Sequence, residues 1–362
     1  MHMADALLAP AVAVTMYGAT AVVAGISVRN FKKEDLKVEG ITTSKLPTMA
    51  VMSALVFAGQ MINYTIPGTG SSGHMCGGML LSALLGPYAG FLSMIAVLAI
   101  QCLFFADGGL MALGANVWNM AFYGCFVGYF LIYRPIIRGR FGKSSVGVNR
   151  AKIVAASVIG AIVTLQLGAF SVVIETSLSG ITELPFGTFL ALMQPIHLAI
   201  GLVEGLITAA VLIFVYETRP ELLMESDTLD EKKNRMSLKA VIAVIAAMVV
   251  VIGGGCSLLA SSNPDGLEWS LFGNEEAGYS ANMGLSEDDY GIESALSIAA
   301  GNIQDKTSIL PDYAFRSDDE NPAGTSVSGI VGSLIVAVAA GLLSIIGGSI
   351  RKSQKVAISD KE

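Results

Sequence analysis

The sequence predicts an all-α integral membrane protein: a seven-helix unit followed by a two-helix hairpin with a large outer loop. Three observations predict it. Of 362 residues, 53% are apolar and only 14% charged, against about 25% charged in an ordinary soluble domain; the mean hydropathy is +0.64. Apolar runs long enough to cross a bilayer, about 20 residues each, recur along the whole chain. Basic residues collect in four of the intervals between them. These figures exclude a disordered chain and argue against a soluble enzyme. Forty glycines with eleven prolines suit close-packed membrane helices. Cys76, Cys102, Cys125 and Cys256 lie far apart, so neither a disulfide framework nor a thiolate zinc site is readable; Cys102 and Cys125 read as small core residues.

The apolar runs lie at 6–27, 46–64, 77–105, 108–133, 152–174, 187–216, 239–260 and 327–350. The first is not read as a cleavable signal, because no Lys or Arg precedes it. The intervals 28–45, 134–152 and 218–239 and the tail after 350 carry the bases and are read as cytoplasmic. The N-terminus and the segment 65–76 then face outside. Passing from outside at 65–76 to inside at 134 needs an odd number of crossings, yet only two runs lie between. The run 77–105 would be about 44 Å long as one helix, and Gly86-Pro87 interrupts it. It is therefore read as two passes, or as a re-entrant piece followed by a pass. Two passes give seven crossings before residue 218.

The runs 239–260 and 327–350 complete the hairpin and leave 261–326 outside. That segment holds thirteen acids and two bases, a net charge of −11, whereas the whole chain carries −7. The acidity belongs to an outer loop and does not indicate a basic partner. The chain divides into a membrane unit at 1–217, a charged cytoplasmic linker at 218–238 and a two-helix unit at 239–362. No internal repeat is evident.

Three histidines occur: His2, His74 and His197. The Met1 amine, the His2 amide nitrogen and the His2 Nδ1 can close adjacent five- and six-membered chelate rings around one metal. Deprotonating an amide needs a strongly polarising ion and favours a square plane, which suits Ni(II) and Cu(II) best and admits Co(II). The alternative is a merely interfacial polar residue. His74 lies in Gly68-Thr69-Gly70-Ser71-Ser72-Gly73-His74-Met75-Cys76-Gly77-Gly78, on the same outer side as Met1, and can supply a fourth nitrogen. The glycines permit irregular backbone at membrane depth, provided it lines a cavity; the alternative is a plain turn of small residues. The stretch lacks the Gly-Lys-Ser/Thr ending of a phosphate loop.

Other polar groups interrupt the apolar runs. Gln60 and Asn63 lie near the outer end of the second. Asn116 and Asn119 share one helix face, as do Gln194, His197 and Glu204. Ionisable groups inside a membrane usually face the bundle and mark function. The Asn and Gln residues also suit helix-to-helix hydrogen bonds, and His197 with Glu204 suits a mutually satisfied buried pair. Their best functional role is indirect: orienting the imidazole of His74 or fixing its tautomer.

Residues 1–217 resemble the CbiM/NikM family, the metal-binding membrane components of cobalt and nickel importers of the energy-coupling factor type. The resemblance rests on Met1-His2, on Gly70-Ser71-Ser72-Gly73-His74, on Asn116-Val117-Trp118-Asn119, and on His197-Leu198-Ala199-Ile200-Gly201 through Glu204. It implies a seven-helix unit that holds a divalent ion through the terminal amine, the amide and imidazole nitrogens of residue two, and a histidine of the first outer loop. Those roles fall on Met1, His2 and His74. Pro264-Asp265-Gly266-Leu267-Glu268 resembles the PDGLE motif of the small CbiN/NikN-type component, whose outer loop assists metal loading. An acidic loop would also gather cations locally, or simply stay solvated.

The resemblance implies Co2+ or Ni2+ as transported substrate, with both ions open, and no organic cofactor. It implies a transmembrane coupling subunit and separate ATPase subunits as partners, since no Walker A sequence is present. It implies a multi-pass plasma-membrane protein that serves cobalamin synthesis or a nickel enzyme and binds no nucleic acid. Gly86, Gly90 and Gly201 can let helices slide against a partner, or can simply allow packing. The rival reading is a proton-coupled secondary transporter with His197 and Glu204 as its relay. An intramembrane hydrolase with Glu204 as base would need a motif such as His-Glu-x-x-His, and none is present.

Overall fold

The computed structural model describes residues 1–34, 46–139, 147–181, 183–225, 236–279, 285, 290–318 and 321–359. Most of the proposed linker at 218–238, parts of the basic intervals, and Glu287, Asp288, Asp289, Asp319 and Glu320 of the acidic loop lie outside the described residues. The chain is mostly helical. Helix α1 spans Pro10–Glu34 and α2 Leu46–Gln60. Helix α3 is Gly78–Leu85, α4 Pro87–Phe105 and α5 Leu113–Ile137. Helices α6, Arg150–Leu178, and α7, Phe186–Thr218, follow. The C-terminal part contains α8, Leu238–Gly254, two loop helices, α9 at Gly266–Phe272 and α10 at Ala295–Thr307, and α11 at Pro322–Ser359.

Six of these helices, α1, α4, α5, α6, α7 and α11, are long and apolar enough to cross a membrane; α2 and α8 are shorter apolar helices. The burial pattern fits a lipid solvent. The apolar window of α1 is only 17% buried, and Val14, Val22 and Ile26 point outward. The tightest pair is α6 with α7. A Cβ at Gly201 would stand 2.8 Å from the Ile162 Cα, and one at Gly205 2.5 Å from the Val158 Cα. Small residues four apart let the two backbones meet, the packing that replaces the hydrophobic effect between helices in lipid.

The long run 77–105 is two helices. Gly86, at φ +89, ends α3, and Pro87 starts α4, where its missing N–H costs no hydrogen bond. Helix α5 is π-helical over Trp118–Tyr133, a wide geometry concentrated at functional sites. One element lies outside the all-α expectation. The glycine-rich segment forms a small antiparallel hairpin of β1, Tyr64–Ile66, and β2, Ser71–Gly73, with Tyr64 opposite Gly73. The loop of the C-terminal part pairs with β2: the Ser72 N–H donates to the Pro264 carbonyl at 2.8 Å.

The described part of the acidic segment carries helices and turns. Asp265 caps α9 by accepting from the amides of Leu267 (2.7 Å) and Glu268 (2.9 Å), while Glu268 accepts from the Asp265 amide at 3.0 Å. The PDGLE stretch is thus a capping box. Its glycine is required by close approach, because a Cβ at Gly266 would stand 2.6 Å from the Ile196 Cγ2 and 3.2 Å from the His197 Cε1 on α7. Behind the loop, α8 and α11 pack together and against α2.

Candidate metal centre

The first nine residues fold back into the protein. Met3, Leu7 and Leu8 are buried, and the backbone of Met3 is clamped by Asn116. The Asn116 Oδ1 accepts from the Met3 N–H at 2.7 Å, and its Nδ2 donates to the Met3 carbonyl at 3.1 Å. Asp5 accepts from the Ala112 N–H at 2.9 Å. These tethers fix Met1 and His2 at one end of the bundle.

There Met1, His2 and His74 come together. The His2 and His74 rings stack with centroids 5.3 Å apart and planes 17° from parallel. A small cavity is lined by Met1, His74, Cys76, His197, Asp265 and neighbouring glycines. The Met1 amine donates to the Asp265 Oδ2 at 2.9 Å. The His2 Nδ1 lies 2.7 Å from the Asp107 Oδ1, and the other oxygen of Asp107 accepts from the Tyr313 hydroxyl at 2.5 Å. The His74 Nδ1 lies 3.0 Å from the Met75 carbonyl; donation there places the free lone pair on Nε2. The chelate is therefore not closed in this conformation. The amine and the Nδ1 it would use each face a carboxylate; the Nδ1 must leave Asp107 to meet an ion, whereas the amine can turn its lone pair to the ion and keep one N–H on Asp265.

Charge is distributed to suit a cation. Burial pulls the Met1 amine down most strongly, but Asp265, through its charge and hydrogen bond, together with Cys76 and Asp107 raises it overall, so it stays an ammonium. Burial pushes Asp265 up, and the Met1 ammonium pulls it well below the usual carboxylate range. Burial raises Asp107 as well, while His2 and the Tyr313 hydrogen bond bring it down to about 2. Burial, then the Met1 ammonium and His2, lower His74 to about 4, so its imidazole is neutral at pH 7 and can donate a lone pair. Two carboxylates thus flank an amine and two imidazoles. Nitrogen donors of this kind suit Ni(II) and Co(II).

Among the remaining polar residues, Gln194 and Asn119 bond between helices as expected, whereas His197 and Glu204 differ from their sequence reading. Glu204 and His197 do not form a mutually satisfied pair. Glu204 accepts from the Cys76 N–H at 2.7 Å and the Gly77 N–H at 2.9 Å, holding the segment that follows His74. His197 bonds the Met193 carbonyl through Nδ1 at 2.7 Å, and its buried Nε2 is without a partner. Seven residues is two turns along one helix, about 10 Å, so the two side chains meet different neighbours. Gln194 and Gln166 bond each other's main chains across α6 and α7. Asn119 donates to Glu175 at 2.8 Å and approaches the Met3 sulfur at 3.7 Å.

Sequence reasoning missed Asp107, Tyr313 and Glu175. Asp107 carried a signal, as an ionisable residue between two apolar runs and beside Gly108-Gly109. Tyr313 carried none. Among the described residues no three His, Cys, Asp or Glu side chains form a metal cluster. The nitrogen set differs in kind, because it needs the terminal amine and a backbone nitrogen.

Known proteins resemble this chain over most of its length. The family model described as the cobalt uptake substrate-specific transmembrane region, CbiM, matches residues 2–222. The PDGLE domain matches residues 239–348. A protein of Archaeoglobus fulgidus named as a fused nickel transport protein, NikMN, is 37% identical over 339 residues, covering 93% of this chain and 95% of its own. The fused nickel transport protein NikMN of Rhodobacter capsulatus is 28% identical over 361 residues, covering 94% and 96%. A solved structure described as a truncated transition metal transporter is 31% identical, covers 60% of this chain and 99% of its own, and superposes with a TM-score of 0.49.

Proposed function

The chain belongs to the CbiM family of cobalt uptake transmembrane proteins, and from that membership we propose that it is the substrate-binding component of an ATP-driven importer of cobalt or nickel ions. It is a metal transport protein rather than an enzyme. The observation that carries the reading is the meeting of the Met1-His2 terminus with His74: the His2 and His74 rings stack, and Met1 and His74 line one small cavity.

The ligands are the Met1 amine, the amide and Nδ1 of His2, and the His74 imidazole. An arriving ion exchanges its waters for these nitrogens, and protons leave as the ligands bind. Asn116 fixes the N-terminal backbone, and Glu204 fixes the segment after His74. Asn119 and His197 border the site.

The topology has seven traverses before residue 218, with α3 as the short one. Two contacts support this count. Asp107, after α4, meets His2 at the outer end. The Ala83 carbonyl near the end of α3 accepts from the Met224 N–H, just beyond the inner end of α7. The N-terminus then lies outside the plasma membrane. Residues 1–217 are the metal-binding unit, 218–238 the cytoplasmic linker and 239–362 the PDGLE unit, a division supported by the two family matches. ATP hydrolysis falls to separate ATPase subunits acting through a transmembrane coupling subunit. The proton relay is disfavoured, since His197 and Glu204 bond to different partners.

Uptake of radiolabelled Ni(II) and Co(II) by cells tests this reading. Cells with the chain, a coupling subunit and the ATPases are expected to accumulate one of the ions. Cells with catalytically dead ATPases are expected to stay at background. Uptake that persists with dead ATPases and collapses when the proton gradient is removed would contradict the ATP-driven reading.

A further inference from the structure

We propose that Asp265 is a positioning residue for the Met1 amine, so that the outer loop of the C-terminal unit aims the first nitrogen ligand of the metal site. This inference rests on the reading of the site given above and assigns its partner from the other unit of the chain.

The two oxygens of Asp265 do separate work. Oδ1 accepts from the Leu267 and Glu268 amides and starts α9. Oδ2 is turned away from that helix and accepts from the Met1 amine, 264 residues distant, at 2.9 Å. Both side chains are largely withdrawn from solvent, at 3% exposure for Met1 and 17% for Asp265. A helix cap needs only the first oxygen; the second is committed to the amine.

Asp265 is itself held in place. Ser72 donates through its N–H to the Pro264 carbonyl and through its hydroxyl to the Asn263 carbonyl, both at 2.8 Å. Gly266 lies directly on Ile196 and His197. The carboxylate is therefore fixed to the hairpin that leads into His74. One rigid piece sets the amine and His74 relative to each other, so the ligands are preorganised rather than gathered by the ion. The same loop reaches His2 from the other side through Tyr313 and Asp107.

The chemistry permits the contact to survive metal binding. The ammonium has three N–H bonds. As its lone pair turns to the metal, one proton leaves to water and two N–H bonds remain, of which one continues to donate to Oδ2. Asp265 thus orients the lone pair without being a ligand.

The test uses the full chain with its native N-terminus and the D265N and D265S variants. Asn and Ser cap helices about as well as Asp, so both variants keep α9. In D265N an N–H donor can face the amine, and in D265S the side chain is too short to reach it. The probes are Ni(II) or Co(II) alone. The readouts are affinity by titration, the visible ligand-field spectrum of the bound ion and the unfolding midpoint without metal. Both variants are expected to bind at least about tenfold more weakly, as for lost outer partners of metal ligands, with a shifted spectrum and a near-unchanged midpoint. Wild-type affinity and spectrum in either variant would overturn the proposal, and so would a lowered midpoint with an unaltered spectrum. H2A is titrated in parallel. If H2A still binds tightly, the site reading itself fails; if only H2A loses binding, the failure is confined to Asp265.

Discussion

His2→Ala is expected to abolish tight binding of Ni(II) and Co(II), lowering affinity by more than about 100-fold, beyond what loss of an outer partner causes. The imidazole of His2 is buried beside His74, and its Nε2 has no partner. It caps no helix, and its polar contact is the one to Asp107. The unfolding midpoint of the metal-free variant is expected to stay close to wild type. His74→Ala is expected to behave alike. His197→Ala is expected only to weaken binding, since His197 borders the cavity with Nδ1 tied to its own helix. Isothermal titration on the three purified variants decides the matter. Wild-type affinity in His2→Ala would remove the N-terminal chelate from the account.

Glu204→Ala is expected to be the most damaging change away from the ligands. Both oxygens of Glu204 accept backbone N–H groups of the segment after His74. Alanine would leave the Cys76 and Gly77 amides buried without acceptors, at roughly 1–3 kcal/mol each. The two together cost roughly 2–6 kcal/mol of stability. The segment would loosen, and metal affinity would fall with the unfolding midpoint because His74 would lose its fixed position. Thermal unfolding in detergent, with and without Ni(II), measures both effects. A variant with the wild-type midpoint and affinity would show that Glu204 does not hold this segment.

Much of the architecture was legible because lipid imposes strict chemistry. Apolar runs of sufficient length must be helical. Gly86-Pro87 divided the run 77–105 into two helices, since neither residue continues one comfortably. Met1, His2 and His74 were legible from donor chemistry, and the structure brings the three together. Partner assignments were less legible. His197 and Glu204 share a helix face, but face-sharing says nothing of the neighbouring segment that a carboxylate meets. Glu204 bonds main-chain amides, which every residue carries and no sequence pattern marks. Tyr313 meets Asp107 from 206 positions away for the same reason.

The outer loop shows the limit of composition most clearly. Thirteen acids suggested either a cation-gathering or a solvated segment, whereas much of the described loop is folded onto the site. Its contacts are made by a few residues: Asp265 on Met1, Tyr313 on Asp107, Gln304 donating to the Gly108 carbonyl at 2.6 Å, and Ile292 donating through its N–H to the Ala6 carbonyl at 2.8 Å. Net charge averages over these residues and hides them. The capping box within the PDGLE stretch was readable in principle, since an N-cap residue followed by Glu three positions later announces a helix start.

The central claim is that a terminal amine is a metal ligand, and metal stoichiometry tests it most directly. Protein with a native N-terminus is compared with protein carrying a few additional residues before Met1, each purified through a C-terminal tag. The native form is expected to retain one Ni or Co ion per chain and the extended form none, because a peptide nitrogen at Met1 no longer offers the amine that meets Asp265. Equal stoichiometry and affinity in the two forms would contradict the account.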